Sequence, residues 1–514
     1  MRGRSLHLLS LISLSATLWG CKAVGPDYQP PVTPVPDSWA RAIQGERSSA
    51  QTGAQRWWRQ FKDPDLNRLI AMAKDNNPDL KRAQARIHQA WHQCRIIEAS
   101  LFTHNDLYAR NSNGLGSFNT SGVKWDFRSS INDLAQVDMG WEMDIFGGIR
   151  RQTESVNADY EASIEGWRDF HVLITAQVAL DYIALRTFDA RLRSAREGLT
   201  MYQEIAGMAK VRHQEGVGAE VDVLEASARL KTQEALVPAL ENERGFILSN
   251  LSVLIGTYPQ QAAAALKPEA PIPVPPTHLA TGVPADLLRS RPDIRRAERK
   301  LQAQSARIGI ATAELYPRLS LSGAITYEHN VIQKSIVTLF RRDLGLGPTL
   351  RWRLLHHCAD QARVKEMEAG MEIELAAYEE VVLRAVAEVE ESMGACHFEG
   401  LRFERLTAAT SDYRKTAELL TDSYRAGLVD LRRLLNARQD ALNTADEAAA
   451  TRGRLAAHTV KLFKALGGGP LPTPKGMEAQ MPEAGSPPPP TRPPLSKSST
   501  QIRRSLSRGA QAIP

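Results

Sequence analysis

A chain of 514 residues that is 43% hydrophobic can bury a large core, but only 6% of it is aromatic, and its four cysteines are too few for a disulfide scaffold. The net charge of +6 is spread along the chain, and no basic run with interleaved aromatics precedes the final segment, so nucleic-acid binding is not indicated. No nucleophile motif, phosphate loop, dinucleotide fingerprint or metal-spaced quartet is present, which leaves no catalytic residue, metal ligand or cofactor to assign.

Arg2 and Arg4 precede an apolar run from Leu6 to Leu18 that is too short, and with His7, Ser10, Ser13 and Ser15 too polar, to span a bilayer as a mature helix. Residues 1–20 therefore read as a secretory signal. The ending Leu18-Trp19-Gly20-Cys21 resembles a bacterial lipobox, in which Cys21 becomes the lipidated first residue, although Trp19 is bulkier than usual there. Lys22 rather than aspartate at the next position implies the outer membrane. Cys94, Cys358 and Cys396 remain, an odd number without paired spacing.

Residues 21–62 carry prolines 30, 31, 34 and 36, which keep the chain extended, and read as a lipidated tether. A first structural unit spans 63–258. Asp63 suits an N-cap and Pro64 a first helical turn, giving a helix to about Asn76, and Pro78 starts another to about Ser100. A strand from Phe102 to Asn111 and a Gly/Ser/Asn-rich loop from Asn111 to Ser121 lead to a second strand. There Val137, Met139, Trp141, Met143 and Ile145 alternate with Asp138, Gly140, Glu142 and Asp144, one greasy face and one acidic face. Gly147-Gly148 ends it. No proline interrupts Ile149 to Val211, which predicts a helix of roughly 60 residues, ~90 Å long. Gly216-Val217-Gly218 turns the chain into a return helix from Glu220 to Ile255, with Pro238 expected to kink it.

A proline-rich linker, 259–281, precedes a second unit over 282–469 that repeats the plan. Pro78 and Pro292 are 214 residues apart; Trp141 and Trp352, like Gly216 and Gly427, are 211 apart. The chain is an internal duplication. A helix from Pro292 to Ala313, a strand from Leu315, a strand ending near Leu355, a proline-free run from Asp360 to Ala426 and a return helix to Leu466 complete it. Residues 470–514, with a proline run and six basic against two acidic residues, read as a disordered basic tail.

Strands of ~10 alternating residues have the length of tilted membrane strands, but membrane barrels need at least ~8 strands to close and this chain supplies four. A homotrimer gives twelve. In such a barrel Asp138, Glu142, Asp144, Arg351 and Arg353 face a wet lumen, while Trp141, Leu321 and Trp352 face lipid. The long helices carry coiled-coil seams, as in Leu173, Ala176, Leu180 and Ile183, and suit a wall around a conduit.

Taken together, the lipobox with Val24-Gly25-Pro26-Asp27-Tyr28, the stretch from Trp141 to Arg151, Glu215 to Leu224, Gly282 to Leu288 with Arg291 to Ile294, Tyr316 to Gly323, Tyr424 to Asp430 and Lys464 to Gly469 resemble the TolC-like outer-membrane factors, in the lipoprotein branch of OprM-like and NodT-like efflux proteins. The resemblance implies a mainly α-helical fold with a trimeric twelve-stranded β-barrel continued by a long periplasmic α-barrel. It implies an outer-membrane channel passing small molecules from an inner-membrane transporter of the RND type and a periplasmic adaptor. Gly216, Val217 and Gly218, with Gly427, Leu428 and Val429, then lie at the periplasmic tip that meets the adaptor, and Asp422 and Arg425 become candidates for a gate across neighbouring protomers.

One departure stands out: where the first unit turns through Phe146-Gly147-Gly148, the second has His357-Cys358-Ala359 and no glycine. Three other readings compete. His356, His357 and Cys358 with Cys396 and His397 suggest a metal or redox site, but a continuous helix separates the groups by on the order of 57 Å. A channel for protein secretion or metal-ion efflux is the second, and a purely structural periplasmic spacer the third.

Overall fold

The computed structural model describes residues 22–40, 56–120, 123–268, 270–276, 285, 291–332 and 338–469. The signal segment, Cys21, the end of the linker and the tail fall outside them. In chain order the elements are α1 (Pro64–Asn76), α2 (Pro78–Ala99), β1 (His104–Thr120), β2 (Val123–Met143), α3 (Gly148–Gln214), α4 (Glu220–Leu254), α5 (Pro259–Ala264), α6 (Pro292–Ala313), β3 (Arg318–Ile332), β4 (Thr338–Arg351), α7 (His357–Arg425) and α8 (Leu431–Ala465). From α2 to α4 and from α6 to α8 the same series runs twice, as the landmark spacing predicts.

The two long helices, 67 and 69 residues, are each about 100 Å long at 1.5 Å per residue. α3 packs against α2, α4, α6 and α8, and α7 against α6 and α8, so α2 with α4 forms one flank of a helical wall and α7 the other. Each short helix continues where a return helix stops. Asn77 caps α2 through its Oδ1 and donates its Nδ2 to the Leu254 carbonyl at 2.8 Å. At the equivalent joint Arg291 donates to the last α8 carbonyl, Ala465, at 3.0 Å. α4 runs unbroken through Pro238.

The largest core lies across the middle of α3, where Tyr182, Ile183 and Leu185 meet Leu66, Leu69 and Ile70 of α1. Two expectations change there. Trp57 and Phe61, placed in the tether, form a 3-10 turn inside this core, Trp57 stacking on Phe463 at 5.3 Å. Ala262 and Leu266, placed in the linker, are buried beside them. Burying each large apolar side chain contributes about 1.5–3 kcal/mol, enough to order segments that proline content alone marks as extended.

Nor is the N-terminal segment free. Val24 donates to the Phe146 carbonyl at 3.0 Å, the Arg151 guanidinium holds Val24 and Asp27, and Trp39 is buried against Ile294, Tyr378 and Val382.

The four strands form one antiparallel sheet in the order β1-β2-β3-β4. Asn111 to Thr120, expected as loop, is strand paired with β2 down to Thr120 opposite Val123. The backbone ladder thus continues past the stretch in which apolar and polar residues alternate. The opposite error occurs at the other end: β2 stops at Met143 and β4 at Arg351.

Candidate functional site

The register places Leu107, Val137, Ile325 and Leu344 in one row across all four strands, with Met139 and Leu346 in the next rank on the same face. Leu107 is 76% exposed, Ile325 59% and Leu344 80%, an apolar patch of the kind that marks a membrane or partner surface. Trp141 lies opposite Leu321 on this face. The apolar belt runs from Met143 to Ala135, roughly 27 Å along the strand, against a band about 25 Å tall in outer-membrane barrels. Beyond it the same face turns polar, with Asn111 donating to Asp133 at 2.6 Å and His329 beside it at 3.4 Å. The other face carries Asp106, Asp138 and Glu142 with Ser320, Ser322 and Thr326.

Three residues leave the places expected for them. Asp144 lies past the end of β2, where its carboxylate accepts from the amides of Ile149 and Arg150 at 3.0 and 2.9 Å. It caps α3 instead of lining a strand, because Gly147 in the left-handed region (φ 79°) folds the chain back onto it. Trp352 and Arg353 lie beyond β4. The Trp352 indole donates to the Leu315 carbonyl at 3.2 Å, as Trp141 does to Leu101 at 3.2 Å, so both tryptophans are fixed at the strand–helix boundary like the aromatic girdle of a membrane barrel. Arg353 pairs with Glu314 and Asp360, each at 3.2 Å. Arg351 does end β4, opposite Arg318. The missing glycines of the second unit are replaced by a 3-10 turn, Leu354–His356, that enters α7 with ordinary negative φ angles.

At the far end of the helices, Gly216 and Gly427 both have φ of 75° and terminate α3 and α7. Val217 and Leu428 then donate back to the Arg212 and Ser423 carbonyls at 2.9 Å, the same closing bond in both units. Val217 and Leu428 point outward, 69% and 78% exposed. Sequence reasoning missed a link between the two turns: Arg212 donates to the Tyr424 carbonyl at 3.2 Å and lies over the Tyr424 ring. Asp422 and Arg425, considered as partners across protomers, face each other one turn apart on α7 at 3.6 Å, both exposed. His357 and Cys358 begin α7, and Cys396 is buried far along that same continuous helix. Among the described residues no three His, Cys, Asp or Glu side chains are grouped to hold a metal, and no helix is long and apolar enough to cross a membrane.

A sheet with one exposed apolar face, joined to helices about 100 Å long, is the arrangement of an outer-membrane channel of the TolC-like class. The family described as "Outer membrane efflux protein" matches residues 69–257 and 283–468, and the chain belongs to it. Nodulation protein T of Rhizobium leguminosarum bv. viciae is 28% identical over 456 residues, covering 87% of this chain and 90% of that protein. Toluene efflux pump outer membrane protein TtgC of Pseudomonas putida is 29% identical over 482 residues, 90% and 96% of the two chains. Among solved structures, the outer-membrane channel OprN superposes with a TM-score of 0.75 at 31% identity, covering 87% of this chain and 99% of that one. The Campylobacter jejuni channel CmeC, at 20% identity and a TM-score of 0.79, shows the same fold.

Proposed function

We propose that the protein works as a homotrimer, lipid-anchored through Cys21, that passes small toxic molecules outward from an inner-membrane transporter of the RND type and a periplasmic adaptor. The carrying observation is the sheet: one apolar face and two edge strands, β1 and β4, whose outer edges have no strand partner among the described residues. Closing β1 of one protomer on β4 of the next removes both edges and gives twelve strands. The relatives named for toluene efflux support small-molecule cargo. The paired tips at Gly216 and Gly427, six in a trimer, offer exposed Val217 and Leu428 to an adaptor. Acylation of Cys21 is read directly by mass spectrometry of the mature N-terminal peptide, an unmodified cysteine counting against it.

The faces are tested by single-cysteine labelling with a water-soluble maleimide in liposomes. Positions 138, 142 and 351 are expected to react quickly, and positions 141, 321 and 352 slowly. Faster labelling at 321 than at 142 reverses the assignment.

A further inference from the structure

Where strands meet helices between the two repeats, an open cleft of about 570 Å³ is bounded by the end of α2, the β2–α3 junction and the end of α6. That volume is within the ~300–1,000 Å³ of small-molecule sites. Its lining is mixed: Phe102, Phe146, Ile149 and Ile310 supply apolar surface, and charged and polar side chains make up nearly as much of the wall. It lies beside the polar face of the sheet, to which His104 and Glu142 belong. The N-terminal segment occupies a separate place at this junction, Ala23 packing on Gly147 and Gly25 on Gly309.

The charges in the cleft are unequal. Asp144 is satisfied by two backbone amides and Arg150, and Glu314 by Arg318 and Arg353. Arg318, the cation in the lining, is thereby paired. Glu142 accepts no hydrogen bond and makes no ion pair among the described residues.

We propose that this cleft is a transient binding site for amphipathic organic cations, such as protonated aromatic amines, on their way through the channel. The proposal rests on the channel reading above. An unpaired carboxylate beside aromatic and aliphatic surface selects a cation carrying apolar bulk, through charge and through contact with ring faces. An anion of equal size meets the same apolar surface and the wrong sign. Weak binding suits a conduit, since a passing molecule must also leave.

The full-length protein in planar bilayers tests this with tetraphenylphosphonium as probe and tetraphenylborate as its anionic counterpart. Current without probe shows whether the protein conducts; reduction of that current by probe reports the cleft. Tetraphenylphosphonium is expected to block, with Glu142→Gln weakening block about fivefold or more and Asp106→Asn, a carboxylate on the same face outside the cleft, changing it by less than about twofold. Ser100→Trp, which fills the cleft, is expected to abolish block. Undiminished block in Glu142→Gln, equal weakening in Asp106→Asn, or equal block by tetraphenylborate overturns the site. If no current is seen the channel reading fails instead, and equilibrium dialysis of tetraphenylphosphonium against the same variants decides the site by the same criteria.

Discussion

At the residue scale, Arg151 shows how one buried cation organises a segment that looks free in the sequence. It is among the least exposed charged side chains, and it donates to the Val24 carbonyl at 3.0 Å, to Asp27 at 2.7 Å and to Glu154 at 2.7 Å. Hydrogen bonds from Lys22 and then Arg151 hold the Asp27 carboxyl down at about 2, so the clamp persists through the physiological range. Gly25 has φ of 89° and room for no side chain, since a Cβ there would lie 2.4 Å from the Gly309 Cα. Gly25→Val is therefore expected to release residues 22–40, seen as faster proteolysis of that segment with unchanged helix content; equal protease resistance would show that the docking is dispensable. His171 makes a second prediction. Burial first, and then the charge of Lys74, lower its pKa from 6.5 to about 4, and its Nδ1 is buried without a partner. The folded state thus binds fewer protons than the unfolded chain between those values, so stability is full above pH 6.5 and falls as pH drops toward 4, by up to about 3 kcal/mol. His171→Leu should flatten that part of the pH dependence in urea unfolding, and an unchanged slope would assign it elsewhere.

Elements were legible in proportion to how strongly a single period or cap marks them. Proline at a first turn after Asp63, Asn77 and Arg291 predicts α1, α2 and α6 closely, and the alternation from Val137 to Met143 identifies β2. The same alternation misleads at Asp144 and Trp352, because parity continues on paper after the backbone has left the sheet. The ties that join elements, such as Asn77 to Leu254 and Arg212 to Tyr424, link residues 177 and 212 positions apart and carry no local signal. At the tips, a side chain on Gly216 or Gly427 would meet nothing within 4 Å, so the cost of replacing either comes from its positive φ alone, ~1–2 kcal/mol. Valine at either position is expected to reduce export and adaptor crosslinking while trimer yield holds. Normal crosslinking and export in both would remove adaptor docking from these turns. Arg425→Ala tests the gate separately: loss of the exposed pair with Asp422 costs little stability, so any rise in single-channel conductance reports constriction, and unchanged conductance removes the gate.

For the whole molecule, the helical wall has the same incompleteness as the sheet. Its flanks expose apolar side chains that nothing among the described residues covers: Val221, Leu224 and Phe246 of α4 on one side, Ile373, Leu383 and Leu419 of α7 on the other, each at least 60% exposed. Packing α4 of one protomer against α7 of the next would cover them while β1 closes on β4. Three such seams form together in a trimer, so a charge placed on one flank acts three times. Burial of a large apolar side chain is worth about 1.5–3 kcal/mol, and Phe246→Glu or Leu383→Glu is therefore expected to lower trimer yield in detergent severalfold, measured by light scattering during size-exclusion chromatography. Helix content of the released protomer should stay near that of the parent, because both side chains lie outside its cores. Full trimer yield in both variants would place the seam on other faces of the wall.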